Sequence, residues 1–122
     1  MMQPEIRRAD AAKEFTSQEN CFILEMGNDA SDPDVSIARA RVRPGVTTEW
    51  HRLEGIVERY VILRGKGRVE VADLPPTLVS EGDVVRIPSN VAQRITNVGD
   101  EDLVFLCVCT PRFVQRAYIT GR

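Results

Sequence analysis

Short segments that alternate between two kinds of side chain recur along most of this chain, and glycine, proline, asparagine or aspartate ends each of them. Residues 35–42 and 68–71 are examples, and in residues 35–42 the small side chains of Ala38, Ala40 and Val42 fall on one strand face, as suits the crowded interior of a small barrel. Residues 21–26 and 103–110 are also predicted to be strands. About nine or ten such segments can be counted. The sequence predicts only one short helix, through residues 11–14, with Asp10 as its N-cap. This pattern predicts an all-β sandwich or barrel.

Length and charge narrow the function classes. With 122 residues, the chain has room for one hydrophobic core. We expect a polar N-terminal arm over residues 1–20, a barrel over residues 21–110 and a C-terminal tail over residues 111–122. The formal net charge of −2 provides no electrostatic attraction to nucleic acid or to an anionic membrane. Neither a signal-peptide core nor a long apolar run is present, so a cytoplasmic protein is predicted.

Seven residues stand at fixed spacing in two blocks: Gly45, His51, Glu58 and Gly65 in the first, and Gly82, Pro88 and Asn97 in the second. These blocks resemble the two sequence motifs of the cupin family. Three positions depart from the family pattern: Leu53 and Gln93 stand where a histidine is usual, and Asn90 stands where a glycine is usual. The resemblance implies a double-stranded β-helix, the jelly-roll barrel of the cupins, which agrees with the all-β prediction.

The strand pattern and the motif register predict that His51, Glu58 and Gln93 point into one end of the barrel from three strands. In metal-binding cupins these positions, together with that of Leu53, carry three histidines and one glutamate. The resemblance therefore implies a divalent metal (iron, manganese, zinc or nickel) held by His51, Glu58 and Gln93. Leu53 cannot coordinate a metal, and the amide oxygen of Gln93 is a weaker donor than imidazole. Glu49, on the same strand face as His51, is a candidate fourth ligand.

Two alternatives need no metal. His51, Glu58 and Gln93 can form a hydrogen-bonded cluster, because a buried carboxylate needs polar partners. The same region can also catalyse acid–base chemistry, as in cupin-fold sugar epimerases, with His51 as the base, Glu58 orienting it and Tyr60 as the acid. Tyr60 and Glu49 are therefore the candidate catalytic side chains.

The sequence predicts a small-molecule-binding cupin, and one version of this prediction is a metal-dependent enzyme acting on a small organic acid or a sugar-derived substrate. The alternatives are a metal-free binding protein without turnover and a metal-free epimerase-like or isomerase-like protein. A homodimer is also predicted, because four apolar residues of the tail have no evident place in the barrel: Phe113, Val114, Tyr118 and Ile119. Interaction with another protein through this tail is the third class of function.

Overall fold

A computed structural model describes residues 2–122, and these residues form eleven strands and two single-turn 3-10 helices. In chain order the strands are β1 (Phe15–Thr16), β2 (Phe22–Gly27), β3 (Ser36–Val42), β4 (His51–Leu53), β5 (Val57–Arg64), β6 (Lys66–Val71), β7 (Thr77–Ser80), β8 (Val84–Ile87), β9 (Gln93–Asn97), β10 (Leu103–Thr110) and β11 (Tyr118–Thr120). The 3-10 helices are Ala11–Lys13 and Gln115–Ala117. Among the described residues, no helix is long and apolar enough to cross a membrane.

The strands pair into two antiparallel sheets. The first has six strands in the order β1-β2-β3-β10-β5-β8, and the second has five in the order β11-β4-β9-β6-β7. The inward residues of both sheets share one hydrophobic core, which contains Ala40, Ile62 and Phe105 from the first sheet and Val69 and Ile95 from the second. The predicted all-β fold and its double-stranded β-helix architecture are confirmed.

Most predicted strands agree with the observed ones to within one or two residues. The predicted N-cap is also observed, since Asp10 Oδ1 accepts a hydrogen bond from the Ala12 amide at 3.1 Å. The sequence pattern missed β1 and β11, which contain two and three residues. Strands this short contain too few residues for an alternating pattern to be recognised.

Two of the motif positions are explained by turns. Gly65 has a φ of +89°, and a Cβ atom there would lie 2.8 Å from the Asp102 carbonyl oxygen, so no larger side chain fits. Asn90, which replaces a motif glycine, has a φ of +65°. Asparagine tolerates this left-handed conformation better than most residues, so the departure from the motif keeps the turn.

The C-terminal tail is part of the barrel, and the expectation that its apolar residues have no place there is wrong. Strand β11 pairs with β4, with Tyr118 opposite Leu53. Phe113, Val114 and Tyr118 pack against a second buried cluster that contains Leu53 and Ala117. Because these residues are partly buried by contacts within one chain, they no longer argue for a homodimer, and the dimer stays a prediction.

The N-terminal arm is fixed against the first sheet. The Glu14 carboxylate accepts hydrogen bonds from the guanidinium groups of Arg39 and Arg41, and the shortest of these is 2.6 Å. Strand β1 then pairs with β2, with Phe15 opposite Ile23. The arm therefore passes close to the barrel end where the motif residues lie.

Candidate functional site

His51 lies at the start of β4 and is 2% exposed. Its Nδ1 lies 2.9 Å from the Glu49 carbonyl oxygen, and because a carbonyl can only accept, Nδ1 is the donor. In the neutral ring this leaves the lone pair on Nε2. The ring stacks on that of Tyr118, with centroids 4.8 Å apart and planes 14° from parallel. The backbone and β11 therefore fix both the tautomer and the orientation of His51.

A carboxyl group from the N-terminal arm faces His51. Glu19 Oε2 lies 3.4 Å from His51 Nε2, and the Glu19 side chain is 23% exposed. The Ser17 hydroxyl accepts a hydrogen bond from the Glu19 amide at 3.1 Å, and the Ser17 amide donates to the Cys21 carbonyl at 2.8 Å. Asn20 follows with a φ of +67°. This tight turn directs Glu19 into the site.

The sequence did not reveal Glu19 as a site residue. It lies 32 positions before His51, outside both motifs, in a polar segment without alternation. The one local signal was the turn composition of Ser17-Gln-Glu-Asn20, which predicts a change of chain direction but not where the side chain points.

The predicted meeting of Glu58 and Gln93 is observed, and Tyr60 joins them. Gln93 is 0% exposed. Its Nε2 donates to Glu58 Oε1 at 2.8 Å, and its Oε1 accepts a hydrogen bond from the Tyr60 hydroxyl. Both ends of the amide are therefore occupied. Gln93 acts as a bridge between a carboxyl group and a phenol.

Glu58 is buried without a cation. It is 7% exposed, and no Lys, Arg or His nitrogen of the described residues lies within salt-bridge distance of its carboxyl group. Besides the bond from Gln93, the Cys109 thiol lies 3.8 Å from Oε2. Burial, and next the nearby charge of Glu19, raises the pKa of Glu58 to about 7.

Burial also raises the pKa values of Glu19 and Tyr60. Burial, followed by the charge of Glu49, raises the pKa of Glu19 to about 7. Burial and the neighbouring Glu58 also raise the pKa of Tyr60 well above its ordinary value. Near neutral pH, two carboxyl groups at this end of the barrel are therefore close to half-protonated, whereas Tyr60 stays neutral.

A cavity of about 250 Å³ opens between the arm, the first sheet and the tail. Glu19 and Glu58 both line it, and so does Ala38, whose small side chain leaves the space open. Ala40 and Val42 lie on the same face of β3 as Ala38 and are buried, so this face of the strand points to the barrel interior. The cavity has the size and mixed polar and apolar walls of a small-molecule site.

The remaining predicted site residues lie away from this cavity. The Glu49 carboxylate accepts a hydrogen bond from the Tyr118 hydroxyl at 3.3 Å, so it turns to the tail and does not join Glu58. Tyr60 is buried behind Gln93 and does not line the cavity. A catalytic role for either residue stays a prediction.

The residues at the four motif positions do not fit a divalent metal ion as they are arranged. Leu53 adds only hydrocarbon and packs with Ile56 and Cys109. The Gln93 oxygen is used by Tyr60. Within residues 2–122, no group of three or more His, Cys, Asp or Glu side chains is placed to hold a metal. His51 Nε2 with one carboxyl group is fewer donors than a protein metal site requires.

Two antiparallel sheets that enclose a polar site at one end define a double-stranded β-helix barrel. The family model described as the cupin domain matches residues 38–109, which is more than half of the chain. The chain therefore belongs to the cupin family, and the predicted resemblance is confirmed.

Comparison with individual proteins gives the same fold. An oxalate-binding protein from Thermotoga maritima is 37% identical over 73 residues, a match that spans 58% of this chain and 58% of that relative's length. The crystal structure of a predicted oxalate decarboxylase from the same species has a TM-score of 0.77 at 23% identity, covering 88% of this chain and 99% of the other. A Klebsiella pneumoniae protein with a double-stranded β-helix domain has a TM-score of 0.76 at 14% identity, covering 91% and 92%.

Glu58→Gln is expected to stabilise the fold at about pH 8 and to have little effect at about pH 5. Since burial raises the pKa of Glu58 from 4.5 to about 7, the folded state keeps a proton there that the unfolded chain has already released. The free energy of unfolding therefore falls by about 3 kcal/mol as the pH rises through the range between the pKa of the unfolded chain and that of the folded state. A neutral glutamine avoids this loss.

Melting temperatures of the parent and the variant at both pH values test this expectation. The variant's advantage should grow by several degrees from the lower to the higher pH. Glu70→Gln is the matched control, because hydrogen bonding to Arg94 lowers the pKa of Glu70, and its replacement should bring no gain at high pH. An advantage of Glu58→Gln that is the same at both pH values would contradict the expectation.

Proposed function

We propose that this protein is a small-molecule-binding cupin that holds its ligand in the cavity beneath the N-terminal arm, without a metal ion at the motif positions. The observation that carries the proposal is the 250 Å³ cavity, into which the carboxyl groups of Glu19 and Glu58 both project. Buried polar groups that line an open space are typical of binding sites.

The proposal departs from the chemistry suggested by the oxalate-binding relative. Oxalate carries two negative charges near neutral pH, and an anion of this kind needs cationic partners or a metal. Among the described residues that line the cavity there is no Lys, Arg or His, and there are three glutamates: Glu19, Glu25 and Glu58. The negative charges of these glutamates would repel a dianion such as oxalate in the cavity.

Filling the cavity is expected to abolish binding. Ala38→Phe places a ring in the space that Ala38 leaves open, and Ile37→Phe is the matched control, because Ile37 is exposed on the opposite face of the same strand. The probes are choline, its neutral isostere 3,3-dimethylbutan-1-ol, the anion 3,3-dimethylbutanoate, and oxalate. Binding of at least one probe, measured by calorimetry, should be present in the parent and in Ile37→Phe and lost in Ala38→Phe.

Two outcomes of this titration would contradict the proposed function. If no probe binds the parent, or if every probe that binds does so equally in Ala38→Phe, the cavity is not the binding site. Circular dichroism of both phenylalanine variants confirms that each has kept the fold before the comparison is made.

The purified protein is expected to contain far less than one metal ion per chain. The reason is the incomplete donor set around His51. Elemental analysis of protein prepared without a histidine tag, before and after incubation with Fe²⁺, Mn²⁺, Ni²⁺ and Zn²⁺, measures this. Near-stoichiometric metal in the parent that is lost in both His51→Ala and Glu58→Ala would restore the metal-dependent alternative.

One observation favours metal-free acid–base chemistry as the second candidate function. Glu19 lines the cavity, its carboxyl oxygen lies 3.4 Å from His51 Nε2, and its pKa is raised to about 7. A group with a pKa near the working pH is suited to both donating and accepting a proton. In this candidate Glu19 faces the ligand, and His51 lies behind it as a second proton carrier.

A carboxyl titration tests the second candidate. In protein labelled with ¹³C at the glutamate side-chain carboxyl, the Glu19 signal, assigned by its loss in Glu19→Gln, should shift with a midpoint near pH 7. A midpoint close to the ordinary glutamate value of about 4.3 would leave Glu19 ionised at neutral pH and would remove the basis for this candidate.

A further inference from the structure

We propose that the ligand of the cavity is a small organic cation of the amine or ammonium class, held by the carboxyl groups of Glu19 and Glu58 and by the aromatic rings of Phe113 and Tyr118. This inference rests on the proposed function, because it names the kind of molecule that the same cavity binds. Charge, an unpaired buried carboxyl group and the aromatic walls all point to this class.

The carboxyl groups follow the cavity from its interior to its mouth. Glu58 is buried, Glu19 is partly exposed and Glu25 is exposed, and all three line the space. No cationic side chain is among the described residues that line it. A cavity with walls of one sign and low dielectric raises the local concentration of ions of the opposite sign.

The innermost carboxyl group lacks the partner that a buried charge requires. Glu58 is 7% exposed, and one of its oxygens accepts a hydrogen bond from Gln93 while the other lies 3.8 Å from the Cys109 thiol, a weak donor. A buried carboxylate without a cation in contact is costly. Among the described residues, none places a cationic nitrogen within salt-bridge distance of Glu58, and the charge of His51 lowers the pKa of Glu58 only from farther away. A ligand cation beside Glu58 and Glu19 would provide the missing partner.

Aromatic rings provide the second kind of contact. Phe15, Phe113 and Tyr118 line the cavity alongside the carboxyl groups. The face of an aromatic ring attracts a cation and at the same time packs against its methyl or methylene groups. A neutral ligand would gain only the contacts with the rings, and an anion would be repelled by the glutamates. The combination of rings and carboxyl groups is most favourable for a cation with apolar substituents.

Hydroxyl and amide groups complete the lining. Thr16, Ser36 and Gln115 also line the cavity. These groups can bond a hydroxyl or carbonyl group on the same ligand. Choline, which joins a trimethylammonium group to a hydroxyl group, is therefore a suitable probe, and 3,3-dimethylbutan-1-ol has the same shape without the charge.

The experiment compares three probes of nearly equal shape and different charge. Choline, 3,3-dimethylbutan-1-ol and 3,3-dimethylbutanoate are titrated into the parent at about pH 8, where Glu19 and Glu58 are ionised, at low and at high salt. We expect choline to bind at least about tenfold more tightly than the neutral alcohol, and the carboxylate to bind more weakly than either. Added salt should weaken choline binding and leave the alcohol unchanged.

Variants assign the preference to the proposed contacts. Glu58→Gln and Glu19→Gln should each weaken choline binding by about tenfold or more while leaving the affinity for the neutral alcohol within about twofold. Unchanged alcohol binding shows that the cavity is intact in each variant. Glu81→Gln, an exposed glutamate outside the cavity, is the control and should leave choline binding unchanged.

The outcomes separate this inference from the proposed function. If the alcohol or the carboxylate binds in the cavity as tightly as choline, or if the two glutamine variants leave choline unaffected, the cation inference fails while small-molecule binding stands. If no probe binds, or if binding survives Ala38→Phe, the proposed function fails and the cation inference fails with it.

Discussion

The burial of one carboxyl group without a cation constrains the whole site end of this barrel. Glu58 projects from β5 into the barrel interior, and Gln93 on the facing sheet donates a hydrogen bond of 2.8 Å to its carboxyl group. Because both ends of the Gln93 amide are used, the two sheets are tied through a chain of three polar side chains that ends at Tyr60. Replacing any of the three by an apolar side chain would leave a polar atom unpaired in the core.

The strands could be predicted from sequence because several of them alternate large and small or polar and apolar side chains and because turn residues mark their ends. The site residues could be predicted because the two family motifs place residues that are distant in sequence at one end of the barrel. His51, Glu58 and Gln93 converge in this way, with His51 directly opposite Gln93 across the β4–β9 pair. Their roles could not be predicted, since a family motif gives position but not hydrogen bonding. Gln93 was expected as a weak metal ligand and is found as a bridge between two other side chains.

Glu19 and Tyr118 were not assigned to the site for a different physical reason. Both lie in short segments whose place depends on contacts with the finished barrel: a turn closed by Ser17 in one case, and pairing with β4 in the other. Local sequence patterns contain no information about such contacts. The tail forms its strand, β11, by pairing with β4, where Tyr118 lies opposite Leu53. The sequence of the tail alone therefore does not predict this strand.

The two ends of the chain supply much of the wall around the cavity, whereas the cupin family match covers only residues 38–109. Glu19, Phe113 and Tyr118 all lie outside that matched range. Exchanging these terminal segments would therefore rebuild much of the cavity wall, with strands β3 to β10 and both motifs left unchanged. Similarity between two such barrels over the matched range therefore leaves much of the wall around this cavity undescribed.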